Sequence, residues 1–382
     1  MAPSSHPHRG ASQRSCRVHR RCSSLRRSVP RVTAVVVRGR ELGGRVTTVL
    51  PTRVSSDAPD VPRTIRGGQA GADRVFAVAM RATGTTVLLI TGGIGLFLAL
   101  QAVPTLRHYG ASFFTETQWE PDADVVGIGA VLVGTFSVAA VALVVAFPLA
   151  LATALYISEY APARLRGLLV SMVDLMAAVP SIIYGLWGFF LLQPHASAVA
   201  RWLHEYLGFL PFFEVQADPQ AAIWEQSRYT ASAFIAGLAV AMMVIPMACA
   251  VMRQVFSQAP LGEREAAYAL GATRWGMIRS VVLPFGRGGI IGGTMLGLGR
   301  ALGETIAVLL IISPAFELKP RVLEIGTNTV SALIAGRFGE ASGGQLQALL
   351  TAGFVLFVIT LVINTAAAVV VSRSRSGAGT EA

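Results

Sequence analysis

Two charged residues, Arg300 and Glu304, lie four positions apart in an otherwise apolar stretch that also contains Gly297, Gly299 and Gly303. A charge at the centre of a bilayer costs roughly 2.5–3.5 kcal/mol on insertion scales, so such a pair favours a functional site. In a continuous helix this spacing places both side chains on one face. The pattern predicts a translocation path in which Arg300 meets an anion and Glu304 is its partner when no anion is present. A permanent ion pair that holds the helix in its bundle is the alternative.

The spacings that serve catalysis are absent from the sequence. There is no G-x-S-x-G or H-E-x-x-H, and the single lysine, Lys319, is followed by Pro320 instead of the Ser or Thr of a phosphate-binding Walker A loop. We therefore expect no catalytic site, no cofactor in this chain and no ATP hydrolysis by it. Cys16, His19 and Cys22 lack the tight paired spacing of a zinc site, so biased composition is the preferred interpretation there.

The elements that must position these residues are apolar helices. Of the 382 residues, 53% are hydrophobic and 14% are charged, whereas a soluble domain carries about 25% charged residues. The apolar runs approach or exceed the roughly 20 residues that cross a bilayer as a helix, and they do not alternate as barrel strands do. The sequence predicts an all-α membrane protein with six transmembrane helices, at 82–103, 126–157, 167–192, 230–252, 288–312 and 348–371.

The basic charge of the chain belongs to an N-terminal arm. Residues 1–66 hold 14 arginines and three acidic residues, whereas the remainder holds 18 basic and 18 acidic residues. The arm has no long apolar run, so we expect it to be disordered. It is either a tail near anionic lipid headgroups, a nucleic-acid-binding arm, or upstream sequence outside the true reading frame. The third interpretation is preferred because the membrane pattern begins near Asp73, and no nucleic-acid partner is expected.

Basic residues in the loops predict the orientation. With the N-terminus inside, the inner segments contain eleven arginines and the outer loops contain six basic residues. Both termini and the loop 258–287 then lie in the cytoplasm, and the chain is a multi-pass protein of the cytoplasmic membrane. The expected division is the arm 1–66, a first helix with its outer loop at 67–125, and a core at 126–375.

A second candidate site lies in the third predicted span, where Pro180 and Ser181 interrupt the helix and Tyr184 follows one turn later. Broken helices at membrane depth often line cavities, so these residues are a candidate gate. A packing kink is the alternative. Asp174, nearer the cytoplasmic face, is expected to pair with Arg166 or to cap a turn.

The loop between the fourth and fifth spans contains EAAYALGATRWGMIRSVVLP at 265–284. Strong helix formers predict a short helix over 263–270 that is closed by Gly271. A second short helix is predicted from Thr273 to about Leu283, ended by Pro284. Alanines 266, 267 and 269 would allow close approach to a groove on a partner. An amphipathic helix pair lying on the bilayer is the alternative.

The spacing of this loop resembles the EAA signature of type I ABC-importer permeases, with Val281 in the usual Ile position. The matching residues are Glu265, Ala266, Ala267, Gly271, Val281, Leu283 and Pro284. Other segments resemble the phosphate-importer permeases of the Pst system, and GLWG in span three and GRALGETIAV in span five are more similar to the PstC type than to the PstA type. These segments are 112–121, 134–162, 174–194 and 292–311. The resemblance covers roughly 73–375, and the arm has no counterpart.

The resemblance implies a six-helix type I permease fold and inward transport of inorganic phosphate. It implies that the loop docks on a separate ATP-binding cassette subunit, and that a second, PstA-like permease and an extracytoplasmic phosphate-binding protein complete the importer. The outer loops carry eleven acidic and six basic residues, which gives a free anion no electrostatic funnel and fits delivery by a protein. A permease for sulfate or molybdate, and a secondary transporter, are the alternatives.

Overall fold

The computed structural model describes residues 71–215, 227–319 and 321–374. The predicted arm 1–66 and the cysteine–histidine cluster within it lie outside these residues. The described chain is almost entirely helical, with one short antiparallel pair of strands, β1 (Trp119–Glu120) and β2 (Val125–Val126), in which Trp119 faces Val126.

Thirteen α-helices make up most of the described residues. They are α1 (Gly71–Tyr109), α2 (Ser112–Thr115), α3 (Gly129–Leu155), α4 (Ala163–Ala178), α5 (Ser181–Trp187), α6 (Gln193–Leu207), α7 (Ala233–Ser257), α8 (Leu261–Ala269), α9 (Arg274–Met277), α10 (Leu283–Leu302), α11 (Ile306–Ile311), α12 (Val330–Arg337) and α13 (Gly343–Ser374). Short 3₁₀ turns lie at Pro121–Ala123 and Ser227–Tyr229.

Six uninterrupted helical stretches within the described ranges are long and apolar enough to cross a membrane. They are Asp73–Tyr109, Gly129–Tyr160, Ser181–Leu207, Ala233–Ser257, Arg274–Leu302 and Gly343–Ser372. The all-helical, six-span prediction is therefore confirmed. Two of the predicted boundaries, 167–192 and 288–312, are wrong because each includes a break in the backbone.

The break within predicted span 167–192 lies at Val179 and Pro180. Proline has no N–H to donate and disfavours a helical conformation in the residue before it. Val179 is accordingly extended, with φ −65° and ψ 129°, so α4 ends at Ala178 and a new helix begins at Ser181. The membrane-length helix therefore starts at Ser181 and extends to Leu207.

The helix continues across Pro194 and Pro284, and a π turn precedes each of them. A π turn also precedes Pro162, but there the helix ends because Ala161 is extended. Within the described residues, π turns at Tyr156–Tyr160, Gly188–Leu192 and Ile278–Val282 each end two residues before a proline: Pro162, Pro194 and Pro284. In each case the residue before the proline donates its N–H to the carbonyl five residues back, for example Leu283 to Ile278. The wider turn accommodates a ring that would clash with the carbonyl four residues back. The second and third π turns thus join α5 to α6 and α9 to α10.

The centre of the bundle is the α3–α7–α10 contact, where small residues allow the helices to approach closely. On α10, a Cβ added at Gly289 or Gly297 would come within 2.5 Å of Val255 or Val244 on α7. Alanines 139, 142 and 146 of α3 are buried in the same cluster. Because its glycines pack so tightly on α7, α10 is held along most of its length.

The end of α1 is linked to the hairpin at the opposite end of α3 from Tyr160. His108 Nε2 and Tyr109 Oη both contact the Asp124 carboxylate, at 3.0 and 2.7 Å. These hydrogen bonds, from Tyr109 first and then His108, lower the pKa of Asp124 below its usual range. His108 and Asp124 are exposed and Tyr109 is half-buried, so the Asp124 carboxylate is open to water.

Candidate functional site

The EAA-like loop folds as a short helix with a glycine cap, as its sequence predicts. Helix α8 ends at Ala269, and Gly271 adopts the left-handed conformation with φ +82°. The Gly271 N–H donates to Tyr268 O at 2.9 Å, and the Ala272 N–H donates to Ala267 O at 3.0 Å. This pair of bonds is a Schellman motif, and glycine suits it because a side chain is strained at positive φ.

The second arm of the loop differs from the prediction. The Thr273 hydroxyl accepts the Gly276 N–H at 3.1 Å and starts the next helix. That helix does not end at Pro284, because the π turn at Ile278–Val282 carries it past the proline and on to Leu302. The predicted short helix is therefore the first part of a 29-residue helix that spans about 40 Å.

The loop has an exposed apolar tip and a buried base. Leu270 is 90% exposed, and Tyr268 and Trp275 are also exposed. Met277 and Ile278 are buried at the base, against Phe256 of α7 and other residues at the same end of α3 and α7. The tip leaves large apolar side chains available to a partner.

The predicted motif residues divide between these two surfaces. Glu265, Ala266 and Ala269 are exposed, in agreement with a role in docking that stays a prediction. Ala267 is half-buried and packs against the base of the loop, and its role in docking stays a prediction as well. Val281 and Leu283 are half-buried and Pro284 is exposed, so this end of the motif belongs to the long helix and not to the tip.

Arg264 holds the loop against the rest of the bundle, and the sequence analysis did not single it out. Arg264 Nη1 lies 3.1 Å from Glu159 Oε2, and its Nη2 donates to Phe256 O at 2.6 Å. The side chain of Arg264 is 17% exposed and that of Glu159 is 5% exposed. A contact between residues 105 positions apart leaves no local pattern. The one signal in the sequence was Pro162, which marks the π turn that contains Glu159.

Asp174 has a different partner from the one predicted. Its Oδ1 lies 3.4 Å from Arg253 Nη2 on α7, so it ties α4 to α7. Arg166 instead donates to Ser158 O at 2.7 Å. The predicted Asp174–Arg166 pair is therefore wrong, because Arg166 turns back toward the end of α3.

Arg300 lies in the last turn of α10, at the end farthest from the loop. Its Nη2 approaches Met243 Sδ on α7 at 3.3 Å, and its charge interacts with Tyr184. The residue is exposed, and no carboxylate pairs with it in the described part of the chain. A thioether is a weak acceptor, so most of the hydrogen-bonding capacity of the guanidinium is unused.

Glu304 does not pair with Arg300, and this expectation is wrong. Helix α10 ends at Leu302 with Gly303 as its cap, so the next helical turn that the spacing assumed does not exist. Glu304 is 8% exposed, and its Oε1 accepts the Ala307 N–H at 3.2 Å. The carboxylate thus satisfies a free backbone donor at the start of α11.

The predicted gate residues lie at the break between α4 and α5. Pro180 and Ser181 begin α5, and Tyr184 is 7% exposed. Its hydroxyl donates to Met176 O at 2.8 Å, and this hydrogen bond joins α5 to α4 across the break. Helix α11 packs on α5, where a Cβ added at Gly185 would come within 2.8 Å of the Ala307 Cα. The structure therefore brings Arg300, Tyr184 and the helix capped by Glu304 together, and it places the loop at the other end of α10.

A family profile and individual relatives of this chain point to the same protein family. A sequence profile of the binding-protein-dependent transport system inner membrane component matches residues 145–376. PstC 2, a phosphate transport system permease protein of Mycobacterium tuberculosis, is 40% identical over 309 residues, covering 80% of this chain and 93% of that protein. PstC of Mycobacterium leprae is 41% identical over 299 residues, covering 77% and 92%, and PstC of Xylella fastidiosa strain Temecula1 is 37% identical over 305 residues, covering 80% and 92%.

A solved structure supports the fold alone. In a bacterial ABC transporter involved in the import of the acidic polysaccharide alginate, one chain aligns with a TM-score of 0.51 at 19% identity, covering 78% of this chain and 96% of that chain. The glycine-capped loop and the six spans agree with what the relatives show. This chain belongs to the family of binding-protein-dependent transport system inner membrane components and, within it, to the PstC group of permeases.

Proposed function

We propose that this chain is the permease subunit of an ATP-driven importer of inorganic phosphate. The observation that carries the proposal is a single helix, Arg274–Leu302, which starts in the EAA-like loop and contains Arg300 in its last turn. A force applied to the loop therefore acts on the helix that holds the anion-binding side chain.

The loop supports coupling to a separate ATPase. Leu270, Tyr268 and Trp275 form an apolar tip that the rest of the described chain does not cover. Loop charges favour a cytoplasmic position for this tip and for both termini. The sequence has no phosphate-binding loop of its own, so ATP is hydrolysed by a partner on which the tip docks, with Glu265 paired to a basic residue of that partner.

The cargo assignment rests on the relatives and on Arg300. The relatives at 37–41% identity are described as phosphate transport system permeases. Arg300 carries a permanent charge and several N–H donors in a planar arrangement that suits an oxyanion. Glu304, engaged by the Ala307 N–H, positions α11 beside the path and does not neutralise Arg300.

The importer requires further subunits. The exposed apolar residues of α5, among them Ile182, Ile183 and Leu186, need lipid or a second apolar chain to cover them. A PstA-like second permease completes the path, and an extracytoplasmic phosphate-binding protein delivers the anion past the acidic outer loops. Pro180, Ser181 and Tyr184 form the gate beside Arg300.

Reconstitution tests this function. The chain is purified with an ATP-binding cassette subunit, a PstA-like permease and a phosphate-binding protein of the same organism, placed in proteoliposomes, and assayed for uptake of radiolabelled phosphate. We expect uptake that requires ATP and this chain and that excess sulfate or molybdate does not suppress. Preferential uptake of sulfate or molybdate would contradict the cargo, and uptake driven by an ion gradient without ATP would contradict the ATPase coupling.

A further inference from the structure

In the π turn at Tyr156–Tyr160, three consecutive residues each contact a different arginine. Arg166 of α4 donates to Ser158 O, Arg264 of α8 pairs with the Glu159 carboxylate, and the Arg274 guanidinium lies 5.4 Å from the centre of the Tyr160 ring. Two of these arginines belong to the two arms of the EAA-like loop. This short turn at the end of α3 is therefore in contact with both arms.

Arg264 makes the most buried of these contacts, and it reaches two helices at once. One arm of its guanidinium binds Glu159 at the end of α3, and the other binds the Phe256 carbonyl in the last turn of α7. A cation at a helix C-terminus also meets carbonyl groups that lack a partner within the helix. Since α3 and α7 form the packed centre of the bundle, this one side chain ties the loop to both.

The ion pair has features of a positioning contact. It is shielded from water, so salt screens it little. Glu159 Oε1 and Arg264 Nε are buried without a hydrogen-bond partner, so the pair is not saturated. A buried pair of this kind contributes less to stability than its Coulomb attraction suggests, and it is often retained because it fixes one arrangement.

We propose that Arg264 and Glu159 are positioning residues that transmit movement of the coupling loop to α3 and α7. The long helix Arg274–Leu302 gives the loop one connection to the path, and the Arg264 contact gives it a second connection to the other two central helices. With both in place, displacement of the tip moves the bundle as a unit. Without the Arg264 contact, α8 tilts on its own and ATP is hydrolysed without transport.

The coupling ratio, phosphate imported per ATP hydrolysed, tests the proposal in the reconstituted complex. This readout rests on the proposed function. We expect Arg264→Ala to lower the ratio about tenfold or more while ATP hydrolysis and subunit assembly persist, and Glu159→Ala to lower it less, because the Phe256 contact remains. The double variant should be no worse than Arg264→Ala, since the two side chains act as one unit. Arg264→Lys, which keeps the charge, should recover part of the ratio.

Hydrogen exchange of the purified chain provides a readout that needs no transport. Arg264→Ala and Glu159→Ala should accelerate exchange of the amides of residues 261–272, whereas Arg279→Ala, at an exposed arginine in the second arm of the loop, should not. Unchanged exchange in both variants would overturn the proposal even if the wild-type complex failed to import phosphate. A normal coupling ratio in Arg264→Ala, or a loss of uptake only in proportion to lost complex, would also overturn it.

Discussion

The arginines at the two ends of the central helices are held in opposite ways. At the loop end, Arg264 is nearly buried and binds a carboxylate and a carbonyl. At the far end of α10, Arg300 is exposed, its guanidinium lies beside the Met243 thioether and its charge interacts with Tyr184, and no carboxylate of the described residues pairs with it. The difference indicates two uses of the same side chain. A paired arginine fixes helices relative to one another, and an arginine without an acidic partner is available to an anion.

The backbone also differs between these two ends, because the helix is continuous at one and ends at the other. At the loop end, a π turn keeps the helix continuous across Pro284, so the helix can transmit movement. At the far end, Gly303 ends α10 and a new short helix begins at Ile306. The continuous end favours mechanical coupling, whereas the broken end places polar groups beside the proposed path.

The largest effect is expected at the tip of the loop. Leu270→Glu places a charge on an apolar docking surface, and because Leu270 is 90% exposed the fold should be unaffected. We expect binding of the ATPase subunit to weaken about 30-fold or more, with loss of uptake. Affinity measured by light scattering or pull-down checks this. Leu318→Glu, at an exposed leucine in the segment after α11, is the matched control, and equal binding by both variants would show that the tip is not the docking surface.

Substitutions of Glu304 test whether its carboxylate caps α11 or serves as a charge partner of Arg300. Glu304→Gln keeps the oxygen that accepts the Ala307 N–H, so we expect uptake within about twofold of the wild type. Glu304→Ala leaves a buried donor unsatisfied and should lower the free energy of unfolding by about 1–3 kcal/mol. Thermal unfolding and phosphate uptake of both variants check this. A loss of uptake in Glu304→Gln equal to that in Glu304→Ala would restore a role for the negative charge.

A smaller effect is expected for Tyr184. Tyr184→Phe removes the hydroxyl that donates to Met176 O and leaves that carbonyl without this bond. We expect a loss of about 1 kcal/mol in stability together with slower uptake at unchanged affinity for the ATPase subunit. Initial rates of uptake check the gate interpretation. An unchanged rate with the same loss of stability would favour the packing kink.

The smallest effect is expected for Asp124, whose carboxylate is exposed where that of Glu159 is buried. The pKa of Asp124 is lowered in the folded chain. The contact therefore contributes to stability at pH values above the usual carboxylate pKa, and this contribution is lost as pH falls through the lowered pKa. Asp124→Asn should lower Tm slightly at neutral pH, with the difference vanishing in acid. A larger shift than that of Glu159→Ala would contradict the contrast between exposed and buried contacts.

The sequence predicted what depends on local pattern. Hydropathy located the six spans, and the helix formers before Gly271 predicted α8 and its cap, because capping needs only a few neighbouring residues. Prolines were less informative: Pro180 breaks its helix, whereas Pro284 follows a π turn and does not. The buried side chains of Met277 and Ile278 hold the helix that continues past Pro284, and a single sequence does not reveal their contacts.

The site was predicted only in part for a related reason. Arg300 and Glu304 stood out because charges are rare in apolar stretches, yet their pairing assumed a continuous helix that Gly303 ends. The Arg264–Glu159 contact joins residues 105 positions apart, and each alone looks like an ordinary surface charge. Distant contacts of this kind depend on how the helices pack, which hydrophobic periodicity does not specify.

The central claim is that Arg300 acts on the cargo. It is tested by ATP-driven phosphate uptake of Arg300→Gln in the reconstituted complex, with Arg337→Gln, at an exposed arginine of α12, as the matched control. The account predicts that Arg300→Gln assembles with the ATPase subunit but imports no phosphate, whereas Arg337→Gln imports it normally. Normal uptake by Arg300→Gln would contradict the account.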